Sequence, residues 1–297
     1  MATLPDRWKG PLCLSLAMAL VGSTVVASAA ASRLDPFAAS LVRFGVATPL
    51  LLLFCGLRGE TWPRLSRGEW SILAFQSAVG SLGYTLALVT GLRYASAADA
   101  SVITGLMPIA TGGVAVLALG ERPGARLLLA IGLAAAGAVV VALGKSDGGG
   151  DNRPLGLALV FLAVLGEAVF ALLNKRIKTP VPPLVVATIM SAVALALTLA
   201  PGVAAFWRDP EALQPSPALL AMAYYGVFPT AFGFWLWYAG AKLTHGARAA
   251  AFTAVAPISA LALSVAWRGE TLHWPHIVGM ALVLAAIGLA ATGKADT

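Results

Sequence analysis

The sequence predicts an all-α integral membrane protein in which ten transmembrane helices form two inverted five-helix repeats. Three observations lead there. First, the 297 residues are 59% hydrophobic and 11% charged, with a mean hydropathy of +0.85, whereas a soluble domain carries about 25% charged residues. Too few polar side chains remain to cover a water-facing surface, so lipid is the solvent for most of the chain. Second, the apolar residues fall into runs of the roughly 20 residues that a helix needs to cross a bilayer. Third, residues 95–145 and 244–294 are two copies of one unit, aligned without a gap over 51 positions, 13 of them identical. Pro108 falls on Pro257, Thr104 on Thr253, Gly120-Glu121 on Gly269-Glu270 and Gly144-Lys145 on Gly293-Lys294. Alanine matches come cheaply in so alanine-rich a chain; the proline, glycine–glutamate and glycine–lysine columns do not.

The first span, 11–32, follows Arg7 and Lys9 and ends near Ala27-Ser28-Ala29-Ala30, a pattern like a cleaved leader. Its apolar run is long for a leader and further spans follow at once, so it is read as the first helix. The second, 37–57, carries Arg43 about two turns in; the third, 70–93, is long enough to tilt. Arg93, Asp99 and small polar residues separate it from the fourth, 97–119, and 124–143 makes the fifth. A polar, glycine-rich linker at 147–153 divides a first repeat, 1–146, from a second, 154–297. The second contains spans 155–173, 183–204, 217–241, 247–267 and 275–293.

Of the 20 Lys and Arg, 13 fall in connections on the side of the N-terminus, 6 on the opposite side, and Arg43 within a span. The excess places both termini in the cytoplasm. With five helices per half, the second half enters from the opposite side, so the repeats are inverted. Many secondary transporters are built this way, with a site where the pseudo-two-fold axis meets the bilayer midplane.

The run from Gly91 to Asp99 (GLRYASAAD), Met107-Pro108 and Gly120-Glu121-Arg122 resemble the EamA type of the drug/metabolite transporter superfamily, and Gly240, Pro257 and Gly269-Glu270 repeat the pattern. Arg43-Phe44 also fits. Within that superfamily the chain is similar to the aromatic amino-acid exporters called YddG, through Gly83-Tyr84 and Trp237. The tryptophan those exporters carry before the fourth-span proline is Met107 here, and their sixth-span tryptophan falls at Gly166. The resemblance implies a secondary, non-ATP exporter of amino acids and related small metabolites in the bacterial inner membrane. It implies alternating access, a preference for hydrophobic or aromatic amino acids, and no cofactor. The alternative is a proton-coupled exporter of cationic drugs or other metabolites. A passive channel or a membrane enzyme stands further off.

Candidate site residues follow from polarity, aromaticity and the prolines. Pro108 and Pro257 lack the amide hydrogen that would reach the carbonyls of Thr104 and Thr253. They are read as paired bends lining a pathway, or as packing kinks. Tyr84, Phe234 and Trp237 would form a stacking pocket, with Phe228, Phe232 and Trp235 on a neighbouring stripe. Glu167 stands alone as an acid deep inside a span. A charge at a helix centre costs roughly 2.5–3.5 kcal/mol on insertion scales. It therefore couples protons, meets a substrate ammonium, or makes a structural hydrogen bond. Gln76, Ser101, Thr104 and Thr253 could hold the polar ends of a substrate, and Met107 would line the same cavity. Arg43 could snorkel to the interface or bind a carboxylate. Glu121 and Glu270 read as caps of the helices that follow them.

Other classes have little support. The net charge of +7 lies in short connections rather than on one face, which excludes a nucleic-acid partner. Cys13 and Cys55 sit in apolar runs and read as core residues. His245, His273 and His276 lie near loops without a nucleophile or metal-ligand pattern around them. The expected partners are a small-molecule substrate and the lipid bilayer, and two fused halves make a monomer the expected state.

Overall fold

The computed structural model describes residues 6–107, 109, 110, 113, 125–144, 152–173, 176–243 and 252–291. Over these residues the chain forms ten helical rods and no strand. The rods are α1 (Asp6–Ala30), α2 (Pro36–Arg58), α3 (Arg67–Gly91), α4 (from Ala97–Thr104 onward), α5 (Ala125–Leu143), α6 (Arg153–Leu173) and α7 (Pro183–Arg208). α8 runs from Pro217–Tyr225 into Gly233–Lys242, α9 opens as a 3-10 turn at Phe252–Ala254 before Val255–Arg268, and α10 is Trp274–Ala291. Among the described residues α1, α2, α3, α7 and α8 are each long and apolar enough to cross a bilayer. Leu53, Leu128, Leu162 and Leu199 point outward from the bundle, an apolar exterior that lipid solvates.

Local chemistry sets the helix ends. Asp35 accepts the N–H groups of Phe37 and Ala38 ahead of α2, with Pro36 at a first-turn position where a missing N–H costs nothing. α3 begins at Arg67, ahead of its apolar run, because Ser66 and Glu69 form a capping box. The second Glu69 carboxylate oxygen accepts the Thr179 N–H from the α6–α7 connection, 2.9 Å away.

Gly269 closes α9 at φ 65°, a left-handed step that glycine takes without a Cβ penalty. The turn sends Glu270 across to the other half. Its carboxylate accepts the N–H groups of Ala97 (3.1 Å) and Ala98 (2.8 Å), while the Ser96 hydroxyl accepts that of Asp99. Glu270 thus caps α4 and not the helix after it, because the α9–α10 turn lies against the N-terminus of α4. Glu121 and Pro108 lie outside the described residues. Glu270→Ala should lower stability by about 1–2 kcal/mol, the worth of a helix cap, with Glu270→Gln closer to the parent. Thermal unfolding in detergent measures this; an unchanged melting temperature for the alanine variant would contradict it.

A buried polar node joins α4, α5, α6 and α10. Arg153, grouped by sequence with the loop cations, forks onto Asp99 through Nε (3.0 Å) and Nη2 (2.8 Å). It also donates to the Val141 and Gly144 carbonyls at the end of α5, where a cation suits the helix dipole. His276 Nε2 lies 3.0 Å from Asp99 Oδ1. The His273 N–H donates to His276 Nδ1, so Nε2 is the nitrogen that carries hydrogen and donates to Asp99. The sequence placed His276 near a loop; its ring is buried, drawn in by that carboxylate.

Helix crossings recur between the halves. A Cβ on Gly91 of α3 would lie 2.9 Å from the Gly156 oxygen of α6, and one on Gly240 of α8 would lie 3.0 Å from the Gly10 oxygen of α1. The repeat exchanges α3 with α8 and α6 with α1, so one close crossing is made twice. Small residues let backbones meet this closely where lipid supplies no hydrophobic drive between helices. Two segments leave α geometry: Ser77–Gly83 in α3 and Gly226–Phe232 in α8 are π-helical. They stand 149 positions apart, the same displacement that aligns 95–145 with 244–294.

Candidate functional site

The two π segments bring α3 and α8 to the wall of a chamber of about 390 Å³ in the middle of the bundle. Gly80 and Ser81 come from the first segment, Pro229 and Thr230 from the second. Proline cannot donate to the preceding turn, and the Thr230 hydroxyl donates to the Tyr225 carbonyl at 2.9 Å. π turns of this kind recur at functional sites because the extra residue re-aims the side chains that follow. No sequence cue used above pointed to them; paired glycines at 80 and 83 and the proline at 229 are the signals available.

Nine of the residues singled out by sequence line this chamber, Arg43 among them. Tyr84, Phe234 and Trp237 supply aromatic wall, Thr104 and Thr253 hydroxyls, Met107 a thioether, Glu167 a carboxylate and Pro257 a ring. Two others do not reach it. Gln76 is fully buried in the packing of α3, and Ser101 is buried with its hydroxyl donating to the Ala97 carbonyl, 2.6 Å away. Pro257 lies in the first turn of the α-helical part of α9, just past the 3-10 turn, not in mid-helix as the apolar run suggested. The second aromatic stripe serves packing: Phe232 meets Phe54 edge-on at 5.4 Å, and Arg58 lies over Trp235.

The sequence left Arg43 open between snorkelling and binding a carboxylate. It does not snorkel; only 6% of it is exposed, and it lines the chamber. Nε donates to the Thr230 hydroxyl at 3.2 Å and Nη1 donates to the Thr85 hydroxyl. The guanidinium carbon lies 3.9 Å from the Tyr225 ring centroid and 4.6 Å from that of Phe44, cation–π contacts that hold it in the plane of the wall. α1 completes the chamber through Met18, Gly22 and Thr24. Among the described residues no group of three metal-ligating side chains occurs.

The EamA-like transporter family matches residues 8–143 and 154–292. YetK of Bacillus subtilis, named an uncharacterised transporter, is 30% identical over 283 residues, covering 92% of this chain and 84% of YetK. YdeK of the same organism, also named an uncharacterised transporter, is 28% identical over 89% of this chain and 90% of its own. A protein of Streptantibioticus cattleyicolor named "Probable terminal-alkyne amino-acid exporter" is 28% identical, over 84% of this chain and 82% of its own. A solved crystal structure superposes with a TM-score of 0.63 at 19% identity, covering 95% of this chain and 96% of that one, and so shares the fold. These relatives are transporters rather than enzymes. Ten helices, seven of them lining one chamber, with the match running through both halves, make this chain a multi-pass membrane transporter that belongs to the EamA-like family.

Proposed function

We propose that the protein is a secondary exporter of amino acids and related small metabolites, with hydrophobic or aromatic amino acids preferred. One observation carries the reading. The chamber pairs an aromatic wall of Tyr84, Phe234 and Trp237 with hydroxyls of both halves, which suits a small molecule with one apolar and one polar end. The relative named as an amino-acid exporter supports the same class. Transport proceeds by alternating access between repeat 1–146 and repeat 154–297, joined through 147–153, with the site at the midplane. The protein works as a monomer in the bacterial inner membrane with both termini cytoplasmic and uses neither ATP nor a nucleic-acid partner. Glu167 on the chamber wall favours a second reading, proton-coupled export of cations, in which Glu167→Gln abolishes pH-driven efflux.

Proteoliposomes loaded with labelled phenylalanine or threonine test the first reading. Phenylalanine efflux is expected to saturate and to fall up to about tenfold in Trp237→Ala, the worth of one aromatic contact, with threonine efflux less affected. Absence of both fluxes would overturn it.

A further inference from the structure

We infer that the chamber holds an α-amino acid as a zwitterion, its carboxylate on Arg43 and its ammonium on Glu167. This rests on the amino-acid reading above and names the residues that would enforce it. The Thr85 hydroxyl donates to the Ser81 carbonyl (2.9 Å) and the Thr230 hydroxyl to the Tyr225 carbonyl (2.9 Å). Each has thereby committed its single hydrogen, so toward Arg43 it can only accept. One hydroxyl comes from each half, and each is tied to a π-segment turn. The two hydroxyls fix the position of the guanidinium without neutralising it, and the rings of Phe44 and Tyr225 do not neutralise it either. Among the described residues no carboxylate lies within ion-pair distance of Arg43. A fork of this kind, held in place with N–H groups to spare, matches a carboxylate.

Glu167 is the complementary group. It lines the same chamber, is half-buried, and among the described residues takes part in no ion pair. The two charges are near enough to act on one another electrostatically yet are not in contact. A ligand with an ammonium and a carboxylate on one carbon fills that gap and neutralises both. An amine or a carboxylic acid alone leaves one buried charge unmatched, which is how a polar site rejects analogues lacking a group. At about 390 Å³ the chamber lies near the small end of ligand pockets, roughly 300–1,000 Å³, with room for one amino acid.

The test is calorimetric titration of the purified full-length protein with phenylalanine, leucine, phenethylamine and 3-phenylpropionate. Phenethylamine and 3-phenylpropionate are each expected to bind roughly 10- to 100-fold more weakly than phenylalanine, the loss of one charge-assisted contact. Arg43→Gln should erase the preference for phenylalanine over phenethylamine, and Glu167→Gln the preference over 3-phenylpropionate. Equal binding of phenylalanine and either one-charged analogue to the parent would overturn the zwitterion site while leaving export of aromatic metabolites standing. That comparison needs no variant, so it decides the matter even if Arg43→Gln fails to fold. Leucine bound as tightly as phenylalanine, with both one-charged analogues rejected, would support the zwitterion site and sink the aromatic preference. No binding of any of the four would overturn both.

Discussion

Asp99→Ala should lower stability by about 3–5 kcal/mol, the cost of stranding a buried charge. Asp99 is fully buried and accepts from Arg153 twice and from His276 once. Without it Arg153 keeps only the carbonyls at the end of α5, and His276 Nε2–H loses its acceptor. The node ties α4, α5, α6 and α10 together at one end of the bundle, so its loss should loosen all four. Asp99→Asn, which keeps one oxygen and most of the volume, should cost less. Unfolding of the detergent-solubilised protein by heat, followed by circular dichroism, orders the three proteins. An alanine variant that melts with the parent would show that the buried charges are matched in some other way.

Gly156→Val is expected to be damaging too, for a steric reason. Even the first carbon added there would lie 2.8 Å from the Gly91 oxygen, the Ala95 nitrogen and the Tyr94 carbonyl carbon. All three are backbone atoms, so no rotamer change relieves the clash and α6 must part from the α3–α4 turn. Overpacking costs typically 1–3 kcal/mol and occasionally more, and here the contact also braces the Arg153–Asp99 pair nearby. Gly132→Val is the control: it faces outward from α5 with nothing within 4 Å of a Cβ, and should stay within about 0.5 kcal/mol of the parent. Folded yield after membrane extraction, with melting temperature, separates the two. Equal behaviour of both variants would mean that the α3–α6 crossing is not held by backbone proximity.

The candidate site was legible in part, and the division has a cause. Tyr84, Thr104, Met107, Glu167, Phe234, Trp237, Thr253 and Pro257 line the chamber; Met107 was named for its position before the fourth-span proline, and each of the others as polar, aromatic or kinking inside an apolar run. In lipid such a residue is costly or wasteful unless it faces protein or a cavity. Gln76 and Ser101 met the same criterion and yet are buried in packing away from the chamber; the Ser101 hydroxyl satisfies itself on its own helix. Arg43 was left open between binding a carboxylate and turning outward, because a long cation near a helix end commonly snorkels. Its inward turn depends on Thr85 and Thr230, 42 and 187 residues away.

Composition, apolar run length and the duplicated unit together determined a membrane protein of ten helices. In a bilayer the backbone must bond within each segment, and a duplicated odd number of crossings inverts the copy. What tertiary structure alone decided is which side chains meet. Asp99 and His276 are 177 positions apart, and no periodicity links them. The π segments add a further reason: an inserted residue rotates everything after it, so a helical wheel drawn at 100° per residue loses phase past Ser77 and past Gly226. Faces within one helix follow from sequence spacing. Contacts between helices follow from their rotation and crossing, which arise only when all ten pack.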